Sequence, residues 1–215
     1  HELAAGAGPF AGNLGAEPEE EPAPTTSPVQ EASESWSDVS ELDASTRVLL
    51  LQIWPLMLSI FLSTGVALTL FPFFTYVPSS GLLGDAFPRA LFFARIFGDV
   101  LGRVLPRLRA LHCLDPRKVL LGAAAKLALA PLFFLYLDAA PEARRDVLAL
   151  AYVAGVWVLG GWINTSANML GPALVPLERK GAAAGTMAIS YQAAHVVGLS
   201  AATALSLLKF GTLRS

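Results

Sequence analysis

Apolar residues run almost without interruption from Val48 to Val77, and again over 119–137, 147–170 and 181–208. No charged residue lies between Arg47 and Asp85, between Asp146 and Glu178, or between Lys180 and Lys209. A helix needs about 20 apolar residues to cross the hydrocarbon of a bilayer, so these windows predict membrane-crossing helices. The run over 119–137 carries one charge, Lys126. A further window, 86–108, is interrupted by Arg89, Arg95, Asp99, Arg103 and Arg107 and has the weakest hydropathy of the five expected spans. The expectation is therefore an all-α membrane protein with five transmembrane helices near 48–77, 86–108, 119–137, 147–170 and 181–208. Pro55, Pro72 and Pro131, with Gly155, Gly160 and Gly161, would argue against long helices in water. In lipid such residues are tolerated and often mark kinks. Gly98 with Gly102, and Gly181 with Gly185, are pairs four apart that let helix backbones approach closely, or chance pairs in a glycine-rich chain.

Ahead of these spans the chain is a different material. Residues 1–46 hold ten acids and no Lys or Arg, leaving seven acids and fifteen bases from Arg47 onward. The run through Glu17, Pro18, Glu19, Glu20, Glu21, Pro22 and Pro24 buries too little apolar surface to offset chain ordering. Residues 1–46 are thus expected as a disordered acidic segment and 47–215 as a transmembrane bundle. Ser35 and Ser40, each with an acid three residues on, suit an acid-directed kinase; the plainer reading is an unmodified tether. Across 215 residues, 54% hydrophobic and 15% charged is too apolar for an ordinary soluble domain. The single cysteine, Cys113, excludes a disulfide framework and a multi-thiolate zinc site. A polar start without Met gives no expectation of a signal peptide or of His1 as the natural beginning, and the odd span count after a long leader is expected of the back portion of a larger transporter.

Lys and Arg concentrate in cytoplasmic loops. Arg47, Arg103, Arg107, Arg109, Arg117, Lys118, Arg179 and Lys180 fall on one side of a five-span topology, against Arg89, Arg144, Arg145, Lys209 and Arg214 on the other. This places the acidic segment in the cytoplasm and the C-terminus on the opposite side, in the plasma membrane or an internal one.

Ionisable groups inside a span are costly and usually face a bundle interior or watery pathway. Arg95, Asp99 and Arg103 are spaced four apart on one helix face, so Asp99 can pair with either arginine. One reading is self-neutralisation, with Arg103 snorkelling to the interface. The other is a polar binding locus, a carboxylate accepting from hydroxyls while a guanidinium donates its rigid fork. A pair of that kind suits a neutral, hydroxyl-rich solute, and breaking it while buried would cost roughly 3 to 5 kcal/mol. Lys126 needs a counter-charge or carbonyl partners, whether as an interhelical tie or a solute contact. Asn164 and Asn168 share a face one turn apart, fit for a solute or for holding helices together. Tyr191, Gln192 and His195 are the polar members of the last span. Histidine is the side chain that changes charge near neutral pH, though a lone interior one more often only hydrogen-bonds.

Other chemistries are missing from the sequence. It has no GxxxxGK[ST] loop, no HExxH, no clustered Cys and His, and no GxSxG elbow. The expectation is no enzyme, no metal, no cofactor and no nucleic-acid partner, with the basic loops lying over anionic lipid of the bilayer.

These residues resemble the C-terminal part of the equilibrative nucleoside transporter family. Asp99-Val100-Leu101-Gly102-Arg103 is similar to the D-x-x-G-R signature of that family's eighth helix, after the aromatic run Leu91-Phe92-Phe93-Ala94-Arg95. Phe71-Pro72 resembles the F-P of the seventh helix, and Lys126 with Ala130-Pro131-Leu132-Phe133 resembles the ninth. Gly161-Trp162 followed by Met169-Leu170-Gly171-Pro172 is similar to the tenth, and Leu177-Glu178-Arg179 with Ala184-Gly185 and Gly198-Leu199 to the eleventh. The matches come in family order over roughly 48–208. The resemblance implies helices seven to eleven of a major-facilitator-like carrier, with a six-helix N-terminal portion as its missing partner. It implies nucleoside, or nucleobase, transport by facilitated diffusion with alternating access, the ribose held by Asp99 and Arg103. From their place inside the spans, Arg95, Lys126 and Asn164 are expected as further cavity-lining residues. Ile96 and Gly160 depart from the family pattern, each standing where members have Asn. A carrier of organic cations or sugars, or a non-transporting membrane scaffold, stays open as an alternative.

Overall fold

The computed structural model describes residues 28–109, 111–112 and 115–211, with side chains described from Thr46 onward except that of Pro141. Among them every regular element is helical: α1 (Pro28–Leu70), α2 (Phe87–Val104), α3 (Pro116–Leu137), α4 (Asp146–Ala173) and α5 (Lys180–Phe210), joined by short 3-10 turns. The chain divides into two units, His1–Leu42 and Asp43–Ser215. Of the first, only the opening of α1 is described. It begins at Pro28, inside the segment for which composition predicts disorder; Pro at a first helical position and acids such as Glu31 and Glu34 near a helix N-terminus both favour such a start. The expectation for residues 1–27 lies outside the described residues.

Four helical stretches are long and apolar enough to cross a membrane: Thr46–Tyr76, Pro116–Leu137, Asp146–Ala173 and Leu177–Phe210. They match the first, third, fourth and fifth expected spans. The remaining expected span, 86–108, is helical over Phe87–Val104, but at 18 residues with Arg89, Arg95, Asp99 and Arg103 inside it does not join the four. Leu51, Leu121, Leu135, Ile189 and Leu208 project outward. Water tolerates few such contiguous apolar surfaces, whereas acyl chains accept them, and the chain reads as an integral multi-pass membrane protein.

Two apolar clusters fix the directions of the helices in the second unit. One gathers Leu49 and Ile53 of α1, Val119 and Ala123 of α3, Ala167 and Leu170 of α4, and Ala183 and Met187 of α5. The other gathers Phe73 and Phe74 after α1, Phe87 and Leu91 of α2, Phe133 and Leu137 of α3, Ala149 and Val153 of α4, and Ala202 of α5. Helices α1, α3 and α5 therefore run from the first cluster to the second, and α4 runs back. Because α1 and α3 are parallel, the segment holding α2 carries the chain from the second cluster's end to the first.

Hydroxyls and prolines are accommodated inside the helices. Pro55 lies within α1, and its carbonyl receives the Ser59 hydroxyl at 2.6 Å. Thr69 and Thr186 likewise return their hydroxyls to carbonyls four residues back, at 2.9 and 2.8 Å. Near Pro131, the Tyr152 hydroxyl of α4 donates to the Leu129 carbonyl of α3 at 2.8 Å. At the far end Asp146, buried at the start of α4, accepts from Ser79 Oγ (2.8 Å), Ser80 N (2.6 Å) and Leu83 N (3.1 Å). That carboxylate pins the α1–α2 loop. Tyr76 stacks on Phe210 at 4.2 Å, and Lys209 pairs with Asp138, closing the same end.

Candidate functional site

The site begins with how tightly α2 meets α4. Gly98 and Gly102 are buried against α4. A β-carbon added at Gly98 would stand 2.6 Å from the Ala154 carbonyl oxygen, and one at Gly102 would stand 2.8 Å from the Val158 carbonyl carbon. From the other side, a β-carbon at Gly161 would press 3.0 Å from the Arg103 nitrogen. The first expected glycine pair is thus a packing face. The second is not, since a β-carbon at Gly181 or Gly185 meets nothing within 4 Å. Locking the 98–102 row onto α4 sets the rotation of α2. The neighbouring row, Arg95, Asp99 and Arg103, lies about 100° around the helix and lines the adjoining cavity.

That cavity, of about 200 Å³, is bounded by all five helices. Thr64 and Leu68 line it from α1, Arg95, Asp99 and Arg103 from α2, Lys126 from α3, Trp157, Gly160 and Asn164 from α4, and Tyr191 and His195 from α5. All five residues expected from the sequence, Asp99, Arg103, Arg95, Lys126 and Asn164, therefore come together. Arg103, Asn164 and Tyr191 also line a second hollow of about 540 Å³, reached by Asn168 and Met169. Small-molecule pockets range over roughly 300–1,000 Å³.

Arg103 Nε donates to Asp99 Oδ2 at 2.7 Å. The pair is not buried: the side chains are 55% and 32% exposed. The expected penalty of roughly 3 to 5 kcal/mol belongs to a pair buried in protein, and these helices do not bury this one. Arg95 makes no pair with Asp99; its guanidinium lies over the Phe71 ring at 4.3 Å. Lys126 is 1% exposed and finds carbonyl partners rather than a carboxylate, with Nζ donating to Ser63 O at 2.8 Å and to Ser63 Oγ at 3.2 Å. Its ammonium occupies the space that a side chain at Gly160 would fill. The lysine thus ties α3 to α1 across a gap left open in α4.

Asn168 bonds its own helix, Nδ2 donating to the Asn164 carbonyl at 2.8 Å, and among the described residues it ties no second helix. Asn164 Oδ1 is buried without a hydrogen-bond partner among the described residues, as is Thr64 Oγ1. His195 meets the Tyr191 carbonyl through Nδ1 at 2.9 Å, with the two rings 4.4 Å apart. Sequence reasoning missed Thr64, Ser63 and Trp157. The available signal was the hydroxyl row Ser59 and Ser63, four apart in the uncharged stretch of α1 after Arg47.

No family model, curated protein or solved structure matches this chain. The resemblance to equilibrative nucleoside transporters rests on the ordered motifs. Among the described residues no group of three or more His, Cys, Asp or Glu gathers as a metal-binding set.

Proposed function

We propose that these residues form the C-terminal bundle of a larger membrane carrier that moves nucleosides by facilitated diffusion. The observation that carries the reading is the meeting of Asp99, Arg103, Arg95, Lys126 and Asn164 in one cavity among otherwise apolar helices. A chain built only to sit in lipid gains nothing from such a convergence, because each charge is costly away from water.

In this reading a ribose sits at the mouth. Arg103 uses Nε on Asp99 and keeps its other N–H groups for solute oxygens, while Asp99 Oδ1 accepts from a hydroxyl. The solute's ring lies over Trp157 or Tyr191, which line the same space. No bond in the solute is made or broken. The parallel run of α1 and α3 supports five crossings, with α2 returning the chain through the same thickness. An 18-residue helix rises roughly 27 Å, close to the hydrocarbon core. The major-facilitator-like pairing with a six-helix N-terminal portion is part of the same proposal.

The test is uridine uptake in cells making the full-length carrier with and without Asp99→Ala. Saturable uptake is expected to vanish in the variant at unchanged surface abundance. Normal flux would refute the binding role, and no saturable flux in the parent would favour a non-transporting scaffold. Competition by organic amines but not by nucleosides would instead assign Asp99 as a counter-charge for a cation.

A further inference from the structure

The cavity holding Asp99 and Arg103 encloses about 200 Å³, short of the roughly 300–1,000 Å³ of small-molecule pockets, whereas the hollow beside it encloses about 540 Å³. Arg103, Asn164 and Tyr191 line both. The two are neighbouring compartments with a shared wall, and a solute held at Asp99 and Arg103 has the larger one next to it. That larger hollow is neutral in character. Among the described residues lining it Arg103 alone is charged, and its Nε is bonded to Asp99. The other polar side chains are the amides of Asn164 and Asn168, the Thr165 hydroxyl and the Tyr191 phenol. Both amides are set to accept. Asn168 commits Nδ2 to the Asn164 backbone carbonyl, which leaves Oδ1 for a donor. Asn164 Oδ1 is buried without a hydrogen-bond partner among the described residues, a state that buried oxygens rarely keep. The two residues stand one turn apart on α4, a spacing of roughly 5–6 Å between β-carbons. Two acceptors that each take one hydrogen of the same planar amino group stand about 5 Å apart.

Taking the cavity as a nucleoside site, as above, we propose that the adjoining hollow receives the base, and that Asn164 and Asn168 select bases bearing an exocyclic amino group, as adenine and cytosine do, over bases with a carbonyl in its place. The ribose stays on Asp99 and Arg103, the ring lies on Tyr191, and the amino group donates one hydrogen to each asparagine Oδ1. A base with a carbonyl there turns an oxygen toward two oxygens. Acceptor then faces acceptor, and the Asn164 oxygen stays unpaired. The two compartments thus divide the work, the ion pair reading the sugar hydroxyls and the amides reading the base edge.

The test compares adenosine with inosine, which carry an amino group and a carbonyl at the same ring position, for binding to the purified full-length carrier in lipid nanodiscs by calorimetry. A site built to hydrogen-bond one group discriminates against its replacement, and adenosine is expected to bind at least about tenfold more tightly. In Asn164→Leu the ratio of the two affinities is expected to fall toward one. The ratio is the decisive quantity, because a substitution that only loosened the helices would weaken both nucleosides alike. Asn168→Leu removes the second acceptor and carries the same expectation should Asn164→Leu fold poorly. Equal affinities in the parent, or tighter binding of inosine, would overturn the inference while leaving the nucleoside reading intact. An adenosine preference unchanged in both Asn164→Leu and Asn168→Leu would overturn the assignment of those residues. Binding of neither nucleoside would overturn the nucleoside reading and this inference with it.

Discussion

Arg103 and Asp99 meet through one nitrogen and one oxygen at the cavity mouth, and their exposure decides what a substitution there does. The packed helices do not bury this pair and a lysine keeps its charge, so Arg103→Lys should leave the folded bundle nearly as stable as the parent. A lysine keeps the charge but not the planar fork that grips one carboxylate and still donates to a second oxygen. Under the proposed function, uridine uptake is therefore expected to fall more than about tenfold at unchanged surface abundance, a separation that uptake and surface labelling measured together would reveal. That Arg95, Asp99, Arg103 and Lys126 would gather was legible from charge, since ionisable groups inside apolar runs have few places to go; the uncharged Thr64 and Trp157 carried no such signal. How each would be satisfied was not. The sequence offers Asp99 as a partner to Arg95, Arg103 and Lys126 alike, and only packing decides that Arg103 takes it while Arg95 turns to Phe71 and Lys126 to Ser63.

Between elements the strongest constraint is the seam where α2 lies on α4. A methyl group at Gly102 would collide with the backbone at Val158, which has no rotamer with which to yield. Gly102→Ala should thus cost about 1–3 kcal/mol through overpacking. Gly185→Ala meets open space and should be neutral, or stabilising by up to about 1 kcal/mol, through helix propensity alone. Thermal unfolding of the two variants in detergent would expose the contrast, and equal midpoints would contradict the packing assigned to α2. The same pattern of small residues marks both sites in the sequence, so spacing could not tell a seam from a coincidence. A second element-level prediction concerns the loop before α2. Asp146→Ala removes the acceptor for Ser79, Ser80 and Leu83, and stranding those donors should cost about 1–3 kcal/mol. Protease cleavage between residues 77 and 86 should then outpace that of the parent chain; an unchanged rate would show that the aromatic contacts at that end hold the loop by themselves.

For the molecule as a whole the open quantity is the number of crossings. Hydropathy sees four long apolar helices and gives α2 little weight, because four of its 18 residues are charged. Helix direction argues otherwise. With four crossings and α2 lying to one side, successive spans α1 and α3 would have to be antiparallel, yet their starts share one apolar cluster and their ends the other. Three of the four charges that hide α2 from a hydropathy reading, Arg95, Asp99 and Arg103, line the cavity, so the span hardest to see by composition is the one carrying the proposed chemistry. Side-specific labelling decides the matter. In a chain with Cys113→Ser, single cysteines at the exposed positions Asp85, Arg109, Glu142 and Glu178 report which face each loop occupies. Five crossings require Asp85→Cys and Glu142→Cys to react with an impermeant maleimide from one face, and Arg109→Cys and Glu178→Cys only from the other. On the expectation that the basic excess around Arg107, Arg109, Arg117, Lys118 and Lys180 lies on the cytoplasmic face, the first two should label in sealed cells and the last two only after permeabilisation. Labelling of Asp85→Cys and Arg109→Cys from the same face would remove α2 from the membrane, and with it the watery cavity on which a carrier depends.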